Sequence, residues 1–103
     1  MKSKKQIRHD FNESVFKRDK HKCVFCKITE NLDAHHITDR HEMPNGGYVK
    51  ENGITLCPTH HMDAEKFHMT EGREWVEGMH PNDLYRKIGS SYEIAVEKSE
   101  KLK

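Results

Sequence analysis

Cys23 and Cys26 close a Cys-x-x-Cys, and thirty residues further on Cys57-Pro58-Thr59-His60 forms a Cys-x-x-His. Together these knuckles offer three thiolates and one imidazole. Tetrahedral zinc takes that donor set with no open position when its role is structural. A lone Cys-x-x-Cys also suits a redox pair, but the second knuckle at this spacing favours zinc. His60 as fourth ligand also accounts for the odd cysteine count, which a disulfide scaffold would not. Zinc binding would couple to folding and would pin the chain before Cys23 to the strand before Cys57.

Two histidine pairs remain. Neighbours on a helix point about 100° apart, so if His60 turns to the zinc, His61 faces elsewhere. Glu65 and His68 follow His61 on the same helical face, which reads either as a second metal-binding face or as a solvated polar stripe. His35 and His36 lie in the alternating stretch "NLDAHHI". Adjacent residues of a strand point to opposite sides, so the pair does not suit chelation of one ion. A division of labour is more natural, with one imidazole on a metal and the other free as a base. Neutral imidazole, with a pKa near 6.5, can take a proton from water around neutral pH.

These residues must be positioned by a small chain. It has 103 residues, 33% hydrophobic and 34% charged, which implies one domain with a modest core and leaves room for a metal as stabiliser. No secretory apolar segment or bilayer-length apolar run is present, so a reducing, cytoplasmic setting with no membrane partner is expected. The first 27 residues carry nine Lys or Arg against three Asp or Glu, a surplus of six, while the net charge of the whole is +1. Such a basic segment suits phosphate contact, or is a solvated lysine tail.

The signals along the chain predict a basic, flexible segment over 1–11 and a short helix capped at Asn12, with Val15 and Phe16 as its apolar face. A strand over "NLDAHHI", a long Pro/Asn/Gly-rich loop, a second strand at "ITL" and a helix from Pro58 to about Lys66 follow. Beyond these, a short helix is expected from Thr70 to Gly78, another from Pro81 to Gly89, and a terminal helix opened by a Ser90–Glu93 capping box.

The run "CVFC…LDAHHI…ENGITLCPTHH" resembles the HNH endonucleases, the ββα-metal nucleases, over about Val15 to Glu65. The resemblance implies an α+β fold: a small ββα-metal core over 12–68 with a structural zinc site, flanked by the 1–11 segment and a helical extension over 69–103. It also implies roles. His36 falls on the general base, and His35 and His61 fall on the ligands of a catalytic divalent metal. Glu65 stands where some members have a further histidine ligand, and a carboxylate there moves preference toward Mg²⁺ or Mn²⁺, with Ni²⁺ or Zn²⁺ as alternatives. Asn52 falls on the central asparagine, which orders the loop and in some members reaches the metal, and is grouped with the catalytic residues. In the zinc site of Cys23, Cys26, Cys57 and His60, the last replaces the usual fourth cysteine. Arg40 is placed to touch a phosphate, with Lys50 more distant on the backbone.

The expected activity is hydrolysis of DNA phosphodiester bonds, on double-stranded DNA with weak sequence preference or with targeting by a protein partner. The competing readings are a zinc-dependent nucleic-acid-binding module without catalysis and a redox or metal-sensing protein using Cys23 and Cys26.

Overall fold

The computed structural model describes residues 2–102. Two four-residue strands form its sheet: β1 (Asp33–His36) pairs antiparallel with β2 (Gly53–Leu56), with Asp33 opposite Leu56 and His36 opposite Gly53. Four helices surround it: α1 (Lys4–Arg18), α2 (Pro58–Met69), α3 (Pro81–Lys87) and α4 (Tyr92–Glu100). This is the small α+β architecture expected, a ββα unit of β1, β2 and α2 with flanking helices. Among the described residues no helix is long and apolar enough to cross a membrane.

Helix α1 begins well before Asn12. Its N-cap is Ser3, whose hydroxyl accepts from the Gln6 amide at 3.1 Å, and no Gly or Pro interrupts the chain from there to Arg18. The segment 1–11, expected to be flexible, is therefore helical from Lys4. The buried face is Phe11 and Val15, one turn apart, rather than Val15 and Phe16. Ser and Asn are both good caps, and packing decides between them: an apolar Phe11 needs its helical turn to reach the sheet.

Gly53 makes that approach close. A Cβ there would lie 2.5 Å from Val15 Cγ2 and 2.8 Å from the Phe11 ring. The sequence Asn52-Gly53 is thus not a reversal; it is where α1 crosses the start of β2. Arg18 and Asp19 then lock the helix end to the sheet. The Arg18 guanidinium grips the Asp19 carboxylate through two 2.8 Å bonds and donates to the carbonyls of Lys50 and Gly53. Asp19 Oδ2 accepts from the Thr55 amide at 2.9 Å. Arg18, counted above in a phosphate-seeking basic segment, is engaged structurally instead.

The loop between the strands holds two short 3₁₀ turns, Arg40–Glu42 and Lys50–Asn52, and between them a kinked turn at Pro44–Gly47 in which Asn45 and Gly46 take positive φ. Asn45 fastens it to the far end of the chain, donating from Nδ2 to the carbonyls of Ser99 and Leu102, each at 2.9 Å.

Two helix expectations are corrected after α2. Residues 70–78 form turns, not a helix. The Thr70 hydroxyl donates to the Lys66 carbonyl and accepts from the Glu74 amide, both at 2.9 Å, and Glu71 and Gly72 follow with positive φ. Such geometry ends a helix. The cap of α4 is Ser91, which accepts from the Ile94 amide; Ser90, one residue earlier, donates to the Glu51 carbonyl instead.

Candidate functional site

The first cluster joins Cys23 and Cys26, Cys57 at the N-cap of α2, and His60 in its first turn. All four donor atoms lie within 4.8 Å of one another. Cys26 and Cys57 sulfurs are 3.6 Å apart and Cys23 Sγ lies 3.7 Å from His60 Nδ1. All three cysteines are free, and these separations are too long for a disulfide. Zn–S bonds of about 2.3 Å place the corners of a tetrahedron about 3.8 Å apart, so the donors are spaced as a zinc ion requires. The His60 amide, donating to the Cys57 sulfur, brings that thiol down to about 6 against the opposing effect of burial. The thiolate is the ligating form, and helix geometry thus prepares the ligand.

The second cluster is His35, His61 and Glu65, also with donor atoms within 4.8 Å. Glu65 Oε1 lies 3.3 Å from His61 Nε2 and 3.5 Å from His35 Nδ1. Alternation along β1 turns His35 toward α2, where His61 and Glu65 sit one turn apart. His35 is 2% exposed, and both its ring nitrogens are buried without a hydrogen-bond partner among the described residues. A buried imidazole left unpaired is costly. A cation between these three side chains would satisfy it, so the donor set fits a metal. Burial lowers the His35 pKa, opposed by the Glu65 carboxylate, which keeps the ring in its neutral, ligating form. Glu65 is drawn down to about 2, chiefly by its contact with His35, and is an anion at neutral pH.

His36 faces the other way. Its ring stacks on Phe11 at 4.4 Å between centroids and meets the edge of Tyr48 at 4.8 Å. Burial foremost, then the charges of His35 and Arg40, lowers its pKa to about 4. At neutral pH it is an uncharged imidazole able to accept a proton. The structure therefore separates the adjacent histidines as the strand reading required, one among metal-type donors and one in an aromatic clamp.

Asn52 touches neither cluster. It is fully buried, with Oδ1 accepting from the Thr38 amide at 3.0 Å and the Tyr85 hydroxyl at 2.7 Å. Its Nδ2 donates to the carbonyls of Thr38 at 3.1 Å and Gly47 at 3.2 Å. These four bonds exhaust the amide's capacity. Nothing is left for a metal or a substrate, which corrects the catalytic grouping: Asn52 orders the loop that follows β1. Arg40 is exposed beside Tyr48. Lys50 is also exposed but lines a separate small cleft with Arg18 and Ile94, apart from Arg40.

Two residues escaped the roles drawn from sequence. His68 Nε2 donates to the His36 backbone carbonyl at 3.0 Å, and its ring stacks on His35. Its place seven residues after His61 suggests a metal-binding face or a solvated stripe rather than a brace for β1. Tyr48, inside the loop, carried no local signal.

The model of one family, described as HNH endonuclease, matches residues 23–70. That stretch, a little under half of the chain, is similar to the HNH endonucleases. The comparisons with curated proteins and with solved structures returned no match. The HNH segment runs from the first knuckle cysteine to the residue that caps α2, so it contains both donor clusters, both strands and the whole intervening loop. Helix α1, which supplies Phe11 behind His36, and helices α3 and α4 lie outside it.

Proposed function

We propose that this protein is a metal-dependent nuclease that hydrolyses DNA phosphodiester bonds at the His35–His36 strand. The observation that carries this reading is the buried, unpartnered His35 imidazole grouped with His61 and Glu65, with His36 one peptide away on the opposite face. His35, His61 and Glu65 hold a divalent ion. Bound there, the ion supplies Lewis-acid stabilisation of the charge that develops on the phosphate and its leaving oxygen. His36, neutral and clamped by Phe11 and Tyr48, accepts the proton of the attacking water. His68 fixes the His36 peptide, Asn52 fixes the loop, and Arg40 meets a non-bridging phosphate oxygen.

The Glu65 carboxylate moves preference toward the harder ions Mg²⁺ or Mn²⁺, and the two imidazoles keep Ni²⁺ and Zn²⁺ as alternatives. Cys23, Cys26, Cys57 and His60 would hold zinc, which would do no chemistry there because four protein ligands leave no open position. Contacts to phosphate carry no base information, so sequence preference is weak and targeting falls to a partner.

The test is nicking of supercoiled plasmid under Mg²⁺, Mn²⁺, Ni²⁺ and Zn²⁺, comparing the wild type with His36→Ala. Loss of a general base is expected to cost about 10²–10⁴ in rate. Plasmid binding without nicking under every metal would instead identify a non-catalytic nucleic-acid-binding module.

A further inference from the structure

A cavity of about 690 Å³ lies outside both donor clusters. Its walls come from three distant parts of the chain: α1, the loop around Tyr48, and the end of α4. Five cationic side chains line it, Lys2, Lys4, Arg8, Arg40 and Lys101, against one acid, Asp10. Lys2 holds that acid at 2.7 Å, helped by Gln6. Among the described residues no carboxylate pairs with Lys4, Arg8 or Arg40. Lys101 reaches Glu97 at 3.7 Å, but gathering the other three cations around one hollow costs repulsion unless an anion enters it.

The hollow is built rather than incidental. Asn45 ties the 44–47 turn to the carbonyls of Ser99 and Leu102, which brings the end of α4 to the cavity. Gly46, at φ +80°, presses against the Tyr48 ring so closely that a Cβ would sit 2.6 Å from it. Tyr48 is thereby held with its ring edge on His36 and its hydroxyl end among the cavity's cations. Burial works to raise the Tyr48 pKa, but the guanidinium groups of Arg40 and Arg8 outweigh it and lower it. The phenol thus bridges the base and the basic hollow.

From this arrangement we infer that the cavity is a backbone-binding subsite: it seats the phosphodiester next to the scissile one, held between Arg8 and Arg40 with Tyr48 as the partition from His36. The inference rests on the reading that the chain acts on nucleic acid, and it assigns to α1 and α4, outside the HNH segment, the task of laying the strand across the base. Lys4 and Lys101 extend the track to either side.

The experiment compares two double variants with the same change of charge on the same helix. Lys4→Ala with Arg8→Ala removes two cavity cations; Lys5→Ala with Lys17→Ala removes two exposed lysines of α1 that do not line it. Binding of a short fluorescein-labelled DNA duplex of mixed sequence is followed by anisotropy across a salt series. Every arm carries His36→Ala so that the duplex stays intact. Loss of two phosphate contacts lowers the salt slope by about two and the affinity about tenfold to a hundredfold near 0.1 M salt. The Lys5/Lys17 pair is expected to produce a small part of that. Equal loss from both pairs, or no loss from Lys4/Arg8, overturns the subsite. Plasmid nicking by chains with His36 intact is scored separately. Nicking accompanied by equal binding of the two doubles defeats the subsite alone, whereas cavity-dependent binding with no nicking under any metal upholds it and defeats the nuclease reading alone.

Discussion

Replacing Asn52 tests how the loop over the candidate site is held. Its amide makes four hydrogen bonds inside the protein, two to Thr38, one to Gly47 and one from Tyr85. Each such bond contributes about 1 kcal/mol net, and a buried group left unpaired costs about 1–3 kcal/mol. Tyr85 keeps a second bond at 2.6 Å to the Thr38 hydroxyl, so its loss is partial. Asn52→Ala should therefore cost about 3–5 kcal/mol, a large share of the roughly 5–15 kcal/mol typical of a domain. Asn52→Asp is the sharper test. It keeps the shape and the acceptor, but an ionised carboxylate cannot donate to the Thr38 and Gly47 carbonyls. We expect it to be at least as destabilised as the alanine variant in urea unfolding of the zinc-loaded protein. An aspartate variant within 1 kcal/mol of wild type, or one of full stability without activity, would refute the assignment of Asn52 to the loop and return it to the chemistry.

Two further outcomes follow from the site geometry. Purified protein should hold one zinc ion resistant to dialysis, and stripping it with 1,10-phenanthroline should abolish the cooperative melt. Structural zinc contributes about 10–16 kcal/mol, comparable with the whole stability of a domain; an unchanged melt after verified metal loss would contradict this. Ultraviolet titration should show Tyr48 ionising before Tyr85, since burial pushes Tyr85 up to about 12. A pKa raised on folding means the neutral phenol is favoured in the folded state. That stability is present below pH 10 and is lost between about 10 and 12, for a total of about 3 kcal/mol. A Tyr85→Phe variant whose alkaline melt matches the wild type would contradict it.

Local chemistry was legible in the sequence and long-range closure was not. The three-cysteine, one-histidine cluster could be read because its donors come in two short knuckles whose spacing is itself the signal. His35 and His36 could be separated because a strand's pleat divides neighbours without any knowledge of what lies around them. The position of Ser3 as the cap of α1 was invisible, because only the packing of Phe11 against Gly53 selects it over Asn12. The loop-ordering task of Asn52 was implied by the family resemblance, but its partners at 38, 47 and 85, which leave nothing for a metal, are assembled by tertiary folding. The basic hollow joins α1, the loop and the end of α4. No window of sequence contains it.

The four-residue ladder of β1 with β2 has one more consequence. Because side chains alternate with period two, a slip of a single residue would exchange the two imidazoles: His36 would turn toward Glu65 and His35 would fall against Phe11. Both assignments thus hang on the alignment of one very short hairpin, with Arg18 and Asp19 at one side and the Ile37 amide bound to the Asn52 carbonyl at its end. Those latches act as an index pin, and loosening them would exchange the surroundings of both histidines without touching either.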